Sequence, residues 1–228
     1  MEREARPSAE TLLRELGLRA RLTVYLASAP GAGKTRRLLE EARSLHFGGI
    51  NVAIGWIDVK GRPDLEALLD GLPRIPPRRV LVGGAAFEEF DLEAALAAHP
   101  SALVLDELAH TNLPGSRNPK RWQDALALRE AGISVSGALN VQHVETVAPV
   151  AERAIGFPIR EIVPLSFLKE ADQVIALDAP PDLIEARIRS GAVVPRDDID
   201  RALAGSFRPQ TLQILRELML RTLDELID

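Results

Sequence analysis

Lys34 and Thr35 close a glycine-containing run, Ser28-Ala29-Pro30-Gly31-Ala32-Gly33-Lys34-Thr35. That arrangement suits the cradling of a polyphosphate. Phosphate oxygens need several aligned donors at close range, and glycines let the backbone curl so that successive N–H groups point inward. A helix starting at once behind the loop adds its unsatisfied first-turn N–H groups and its dipole. Pro30, Gly31, Ala32 and Gly33 would form the cradle, Lys34 would bring charge to the β- and γ-phosphates, and Thr35 a hydroxyl to Mg2+. The usual pattern opens with a glycine where this chain has Ser28, and Gly31 keeps one unrestricted position inside the loop. The plain alternative is a glycine turn followed by a chance Lys-Thr.

Further along, Ala102-Leu103-Val104-Leu105-Asp106-Glu107 is an apolar run ending in two acids. Asp106 is placed to hold Mg2+ through water, since that ion gives up its hydration reluctantly. Glu107 is placed to orient or deprotonate an attacking water, which makes it the catalytic candidate. Two acids capping a loop is the bland reading, and Lys34-Thr35 weighs against it. No Asn-Lys-x-Asp guanine reader follows a late strand, so ATP with Mg2+ is the expected ligand pair. Leu177-Asp178-Ala179-Pro180-Pro181-Asp182 either borders the base or is a proline turn opening a helix.

Several polar residues remain. Residues 110–121 carry Arg117, Lys120 and Arg121 directly after the acidic pair, as a loop able to sense the γ-phosphate and change order with the nucleotide. Arg117 is then a phosphate or partner contact, or else one member of a solvated charge run. His110 reads as a hydrogen-bonded loop residue. Gln142 and His143 follow a strand and either touch nucleotide and its water or cap a helix. Asp58 ends another strand on the same edge.

Those side chains need a scaffold. Strand-like runs at 22–27, 50–57, 79–82, 102–105, 133–139, 162–163 and 174–177 alternate with helical spacing at 35–47, 63–69, 91–98, 119–131 and 144–155. Such alternation predicts an α/β fold with a mainly parallel sheet, helices on both faces and right-handed crossovers, as in P-loop NTPases. A lead-in helix capped by Ser8 is expected within residues 1–20, a nucleotide-binding core over 21–180, and a helical C-terminal subregion over 181–228. The 228 residues are 46% hydrophobic, enough for a real core, and lack cysteine, which removes disulfides and thiolate metal sites. A net charge of -5 argues against nucleic acid as a partner. The apolar runs are of strand length, so no direct membrane insertion and a cytoplasmic location are expected.

From Asp106-Glu107-Leu108-Ala109-His110-Thr111-Asn112-Leu113-Pro114-Gly115-Ser116-Arg117 through Asn118-Pro119-Lys120-Arg121-Trp122-Gln123-Asp124, the sequence strongly resembles the N-terminal sensor domain of the KdpD family. These are bacterial potassium and turgor sensor histidine kinases. The likeness runs from about Leu22 to Arg221 and includes Glu88-Glu89-Phe90-Asp91-Leu92, Asn140-Val141-Gln142-His143 and Arg216-Glu217-Leu218. The family's Glu-Thr-His-Gly-Arg stands here as Asp58-Val59-Lys60-Gly61-Arg62. The resemblance implies an ATP-binding regulatory domain acting with components of the Kdp potassium-uptake system. It also implies relatives anchored in the inner membrane by segments not among these residues. A different class of reading is an enzyme with turnover of its own, a P-loop ATPase or a kinase passing phosphate to a protein serine. A dinucleotide oxidoreductase fails for want of a G-x-G-x-x-G after a strand.

Overall fold

The structure is a computed structural model and describes residues 19–59 and 61–227. The helix expected within residues 1–20, with its Ser8 cap, falls almost wholly outside the described residues, and Lys60 is also outside them.

Five strands form one parallel sheet: β1 (Leu22–Ala27), β2 (Val52–Trp56), β5 (Ala102–Leu105), β6 (Ser134–Asn140) and β7 (Gln173–Leu177), in the order β2-β5-β6-β1-β7. Alternate residues of each strand enter different cores, because side chains of a strand point to opposite faces. Leu22, Val24, Leu26, Leu103, Leu105, Val135 and Leu139 belong to one apolar cluster, while Tyr25, Val104 and Ala138 belong to the other. Helices α1 (Lys34–Phe47) and α2 (Pro63–Leu69) cover the second face with Leu38, Leu39, Ala42, Leu65 and Leu69. The first face is covered by α3 (Leu92–Ala98), α4 (Arg121–Glu130), α5 (Ala148–Ile155) and α6 (Leu165–Glu170). It is completed by α7 (Pro181–Arg189) and α9 (Pro209–Ile227), with the short α8 (Ile199–Ala204) between them. The expected parallel α/β architecture is therefore present. Because all five strands run the same way, their C-terminal ends share one edge of the sheet.

Three local expectations need correction. Residues 79–82 do form strand, but β3 (Arg78–Val82) leaves the main sheet and pairs antiparallel with β4 (Ala85–Glu89). Gly83 and Gly84, both at positive φ, make the two-residue turn, which is the conformation a tight hairpin demands. Residues 162–163 supply only an isolated bridge, Val144 to Val163, and the helix α6 follows unannounced. The helix expected over 144–155 is a 3-10 turn, Val141–His143, followed by α5, whose start is set by Pro149 in its first turn.

Candidate functional site

The loop expected to cradle phosphate joins β1 to α1 at the shared edge. Gly31 (φ 89) and Gly33 (φ 102) take left-handed backbone conformations that side chains disfavour, which is why this curl is built on glycine. Gly33 is the residue at which α1 begins, and no side chain caps the helix there. The helix therefore offers its first-turn N–H groups to whatever lies in front. A Cβ on Gly31 would stand 2.8 Å from a methyl of Val193, so the loop also needs glycine to accept the segment after α7. The Arg187 guanidinium of α7 donates to the Gly31 carbonyl.

Lys34 Nζ donates to Asn140 Oδ1 at 2.6 Å. The residue pairing of β1 with β6 sets Ala27 beside Asn140, so the strand end next to the loop delivers the amide. Burial pushes the Lys34 ammonium below its ordinary pKa, and the nearby Asp106 and Glu107 carboxylates oppose that. Thr35 Oγ1 donates to Asp106 Oδ2 at 3.0 Å. Burial raises the Asp106 pKa, countered by Lys34, by the Glu107 N–H at 2.8 Å and by Thr35. A hydroxyl and a buried carboxylate at this separation fit a hydrated Mg2+ shared with phosphate oxygens, whose oxygen ligands need not all come from protein. No cluster of three or more His, Cys, Asp or Glu suited to a metal exists among the described residues. Any divalent ion here would depend on the phosphate for the rest of its shell.

Glu107 has a left-handed backbone (φ 57), a strained state for a non-glycine residue. Its carboxylate is held by two donors on Oε2, Trp56 Nε1 at 3.0 Å and Arg121 at 3.2 Å, while its side chain remains 55% exposed. Arg121 is fully buried, stacks over Trp56 at 4.9 Å and pairs with Glu89 at 2.8 Å. Burial alone would raise the Glu89 pKa. Hydrogen bonds from His110, the Leu113 N–H and Arg121 outweigh it and hold that carboxyl at about 2. A chain of contacts thus runs from the base of the β3–β4 hairpin to the acid at the end of β5.

The other sequence candidates divide. Arg117 faces Glu93 of α3 at 3.4 Å and is 57% exposed, and among the described residues no hydrogen bond or ion pair joins it to residues 28–35. Gln142 borders Pro30. The His143 Nδ1 contacts the Glu161 carbonyl at 2.8 Å, and burial lowers its pKa. His110 serves Glu89 as described, and the Asp58 carbonyl accepts from Arg62. Sequence reasoning passed over Asn140, Trp56, Glu89 and Arg187 as site residues. Asn140 and Trp56 stand at strand ends on the working edge, a positional signal that was readable. Glu89 and Arg187 come from elements whose approach only the fold reveals.

The sequence profile of the family described as "KdpD: Osmosensitive K+ channel His kinase sensor domain" matches residues 18–227. The chain is 41% identical to the "Sensor protein KdpD" of Escherichia coli (strain K12) over 225 residues, covering 98% of this chain and 25% of that protein. It is 42% identical over 202 residues to the protein of the same name from Mycobacterium tuberculosis (strain ATCC 25618 / H37Rv), covering 89% and 24%. With the Clostridium acetobutylicum protein the figures are 36% over 203 residues, 89% and 23%. The chain therefore spans about a quarter of the length of these relatives. No described helix is long and apolar enough to cross a membrane.

Proposed function

The chain belongs to the KdpD family of osmosensitive K+ channel His kinase sensor domains, and from that premise we propose that it is a regulatory module that binds Mg-ATP. Its nucleotide state is read by components of a Kdp potassium-uptake or sensing system. The observation that carries the nucleotide reading is the convergence at one sheet edge of Lys34 on Asn140 and Thr35 on Asp106, in front of an uncapped helix start. In that arrangement the loop N–H groups and Lys34 would bind the phosphates, and Thr35 with Asp106 would hold Mg2+, which offsets phosphate charge next to the buried carboxylate. Calorimetric titration with Mg-ATP tests this. Lys34→Ala should bind about 30- to 1000-fold more weakly, the cost of a charge-assisted contact to phosphate. Unchanged affinity would remove the loop from the site.

A second reading, an ATPase or protein-serine kinase with useful turnover, is favoured by Glu107. One of its oxygens is occupied by Trp56 and Arg121, and the half-exposed side chain sits beside Asp106. Release of inorganic phosphate, measured with and without a candidate protein substrate, separates a catalyst from a binding module.

A further inference from the structure

A narrow slot of about 80 Å3 adjoins the phosphate loop. Ala29 and Pro30 form one wall, and they stand immediately before Gly31 in the chain, so the slot shares residues with the start of the loop. Phe157, on the turn after α5, and Phe207, between α8 and α9, face it together with Ile155 and Leu215. The polar members are Gln142 and Ser206. Gln142 is half-buried, and its side-chain amide is left without a hydrogen-bond partner among the described residues. A half-buried amide with one donor face and one acceptor face calls for a partner that offers both.

Size narrows the occupant. A water needs about 10–15 Å3 of such space, so the slot holds several waters, the footprint of one ring system and not of a whole nucleotide. A larger hollow of about 330 Å3, lined by Val59, Glu66, Leu69, Asp70, Leu72 and Arg74, has no phosphate-loop residue in its walls. Apolar walls with two phenylalanines favour an aromatic ring, and a glutamine amide matches the paired donor and acceptor on a purine edge. We propose that this slot seats the purine base of the nucleotide, with Phe157 and Phe207 packing on the ring and Gln142 reading its edge. The inference rests on the Mg-ATP reading above and assigns Gln142 to the base rather than to the phosphates or an attacking water.

Titrations of the parent chain, Phe157→Ala, Gln142→Ala and Lys34→Ala with Mg-ATP and with Mg-tripolyphosphate test it. Phe157 is 51% exposed, so its truncation leaves the core intact. Phe157→Ala and Gln142→Ala should each weaken Mg-ATP by about 5- to 100-fold, the range for losing a base–aromatic or edge contact. Their affinity for Mg-tripolyphosphate, which has no base to seat, should equal the parent's, whereas Lys34→Ala should weaken both ligands. Magnetisation transfer from the adenine protons to the Phe157 and Phe207 rings would place the base directly. If the parent binds Mg-ATP no more tightly than Mg-tripolyphosphate, or both slot variants keep parental Mg-ATP affinity, the slot is not the base site and the phosphate loop still stands. If the parent binds neither ligand, the nucleotide reading and the slot fall together.

Discussion

With Lys34 bound to the Asn140 amide, a phosphate arriving as proposed would displace a neutral partner and break no direct ion pair. That would lower the cost of capturing Lys34. Glu107 is restrained differently, by a strained backbone and by two donors on one carboxylate oxygen. If it serves an attacking water, Glu107→Gln should keep Mg-ATP binding and slow any phosphate release by at least about 100-fold. An unchanged rate would leave Glu107 with a structural task. Glu89 gives a pH signature. Its folded pKa of about 2 lies below its ordinary 4.5, so its stabilisation is complete above about pH 4.5 and disappears as the pH falls toward 2. The amount at stake is on the order of 3 kcal/mol. Urea midpoints taken from pH 6 to pH 3 should fall less steeply for Glu89→Gln than for the parent. At pH 7 the same variant leaves the Arg121 charge buried without its main partner and should cost about 3–5 kcal/mol.

At the scale of elements, the loop over residues 110–121 departs from the expected free switch. Thr111 and Lys120 form a bridge, Asn112 and Asn118 both donate to Asp124, and the Leu113 N–H donates to Glu89. A loop so tied is fixed by its own hydrogen bonds, and Arg117 is turned outward to Glu93. Hydrogen exchange should therefore find the Asn112 and Leu113 amides protected in the absence of nucleotide. Fast exchange there, slowed only by an ATP analogue, would restore the switch. The β3–β4 hairpin lies at the other extreme. Leu81 is 77% exposed and Phe87 47%, and a two-stranded ribbon by itself is marginal in water. Its tip amides should exchange fastest among the strands, and Leu81→Ser should change stability by less than about 0.5 kcal/mol.

At the scale of the molecule, the C-terminal helices are part of the main apolar cluster. Leu212, Leu215 and Met219 of α9 are buried with Ile155 of α5 and Ile184 of α7. Arg216 makes a two-pronged pair with Asp178 at the end of β7, at 2.7 and 2.6 Å. Leu215→Ala should lower unfolding free energy by about 2–5 kcal/mol in denaturant titration. Leu215 of α9 and Ser206 and Phe207 just before that helix form the far wall of the slot beside Pro30, while Arg187 of α7 and Val193 of the segment after it lie against Gly31. The glycine loop and the packing of the C-terminal segment are therefore coupled through direct contact.

Local chemistry determined what could be read from the chain by itself. Glycine spacing before Lys34-Thr35, and an apolar strand ending in Asp106-Glu107, have meaning within a few residues, and the periodicity of 2 against 3.6 marks strands and helices over similar distances. The parallel sheet follows from alternation, and the family from the order of motifs along the chain. Even the hairpin carried a signal in Gly83-Gly84, outweighed by the regular spacing of strands around it. Other assignments depend on residues far apart in sequence meeting in space. Asn140 reaches Lys34 because β6 is inserted between β1 and β5. Glu89 reaches Arg121, and Arg187 reaches Gly31, only after the crossovers have packed. The slot beside Pro30 is shared by residues from Ala29 to Leu215, and no local pattern encodes such a surface. Strand order and the packing of α9 over that edge are decided by the burial of two whole faces of the sheet, a property of the folded chain and not of any segment.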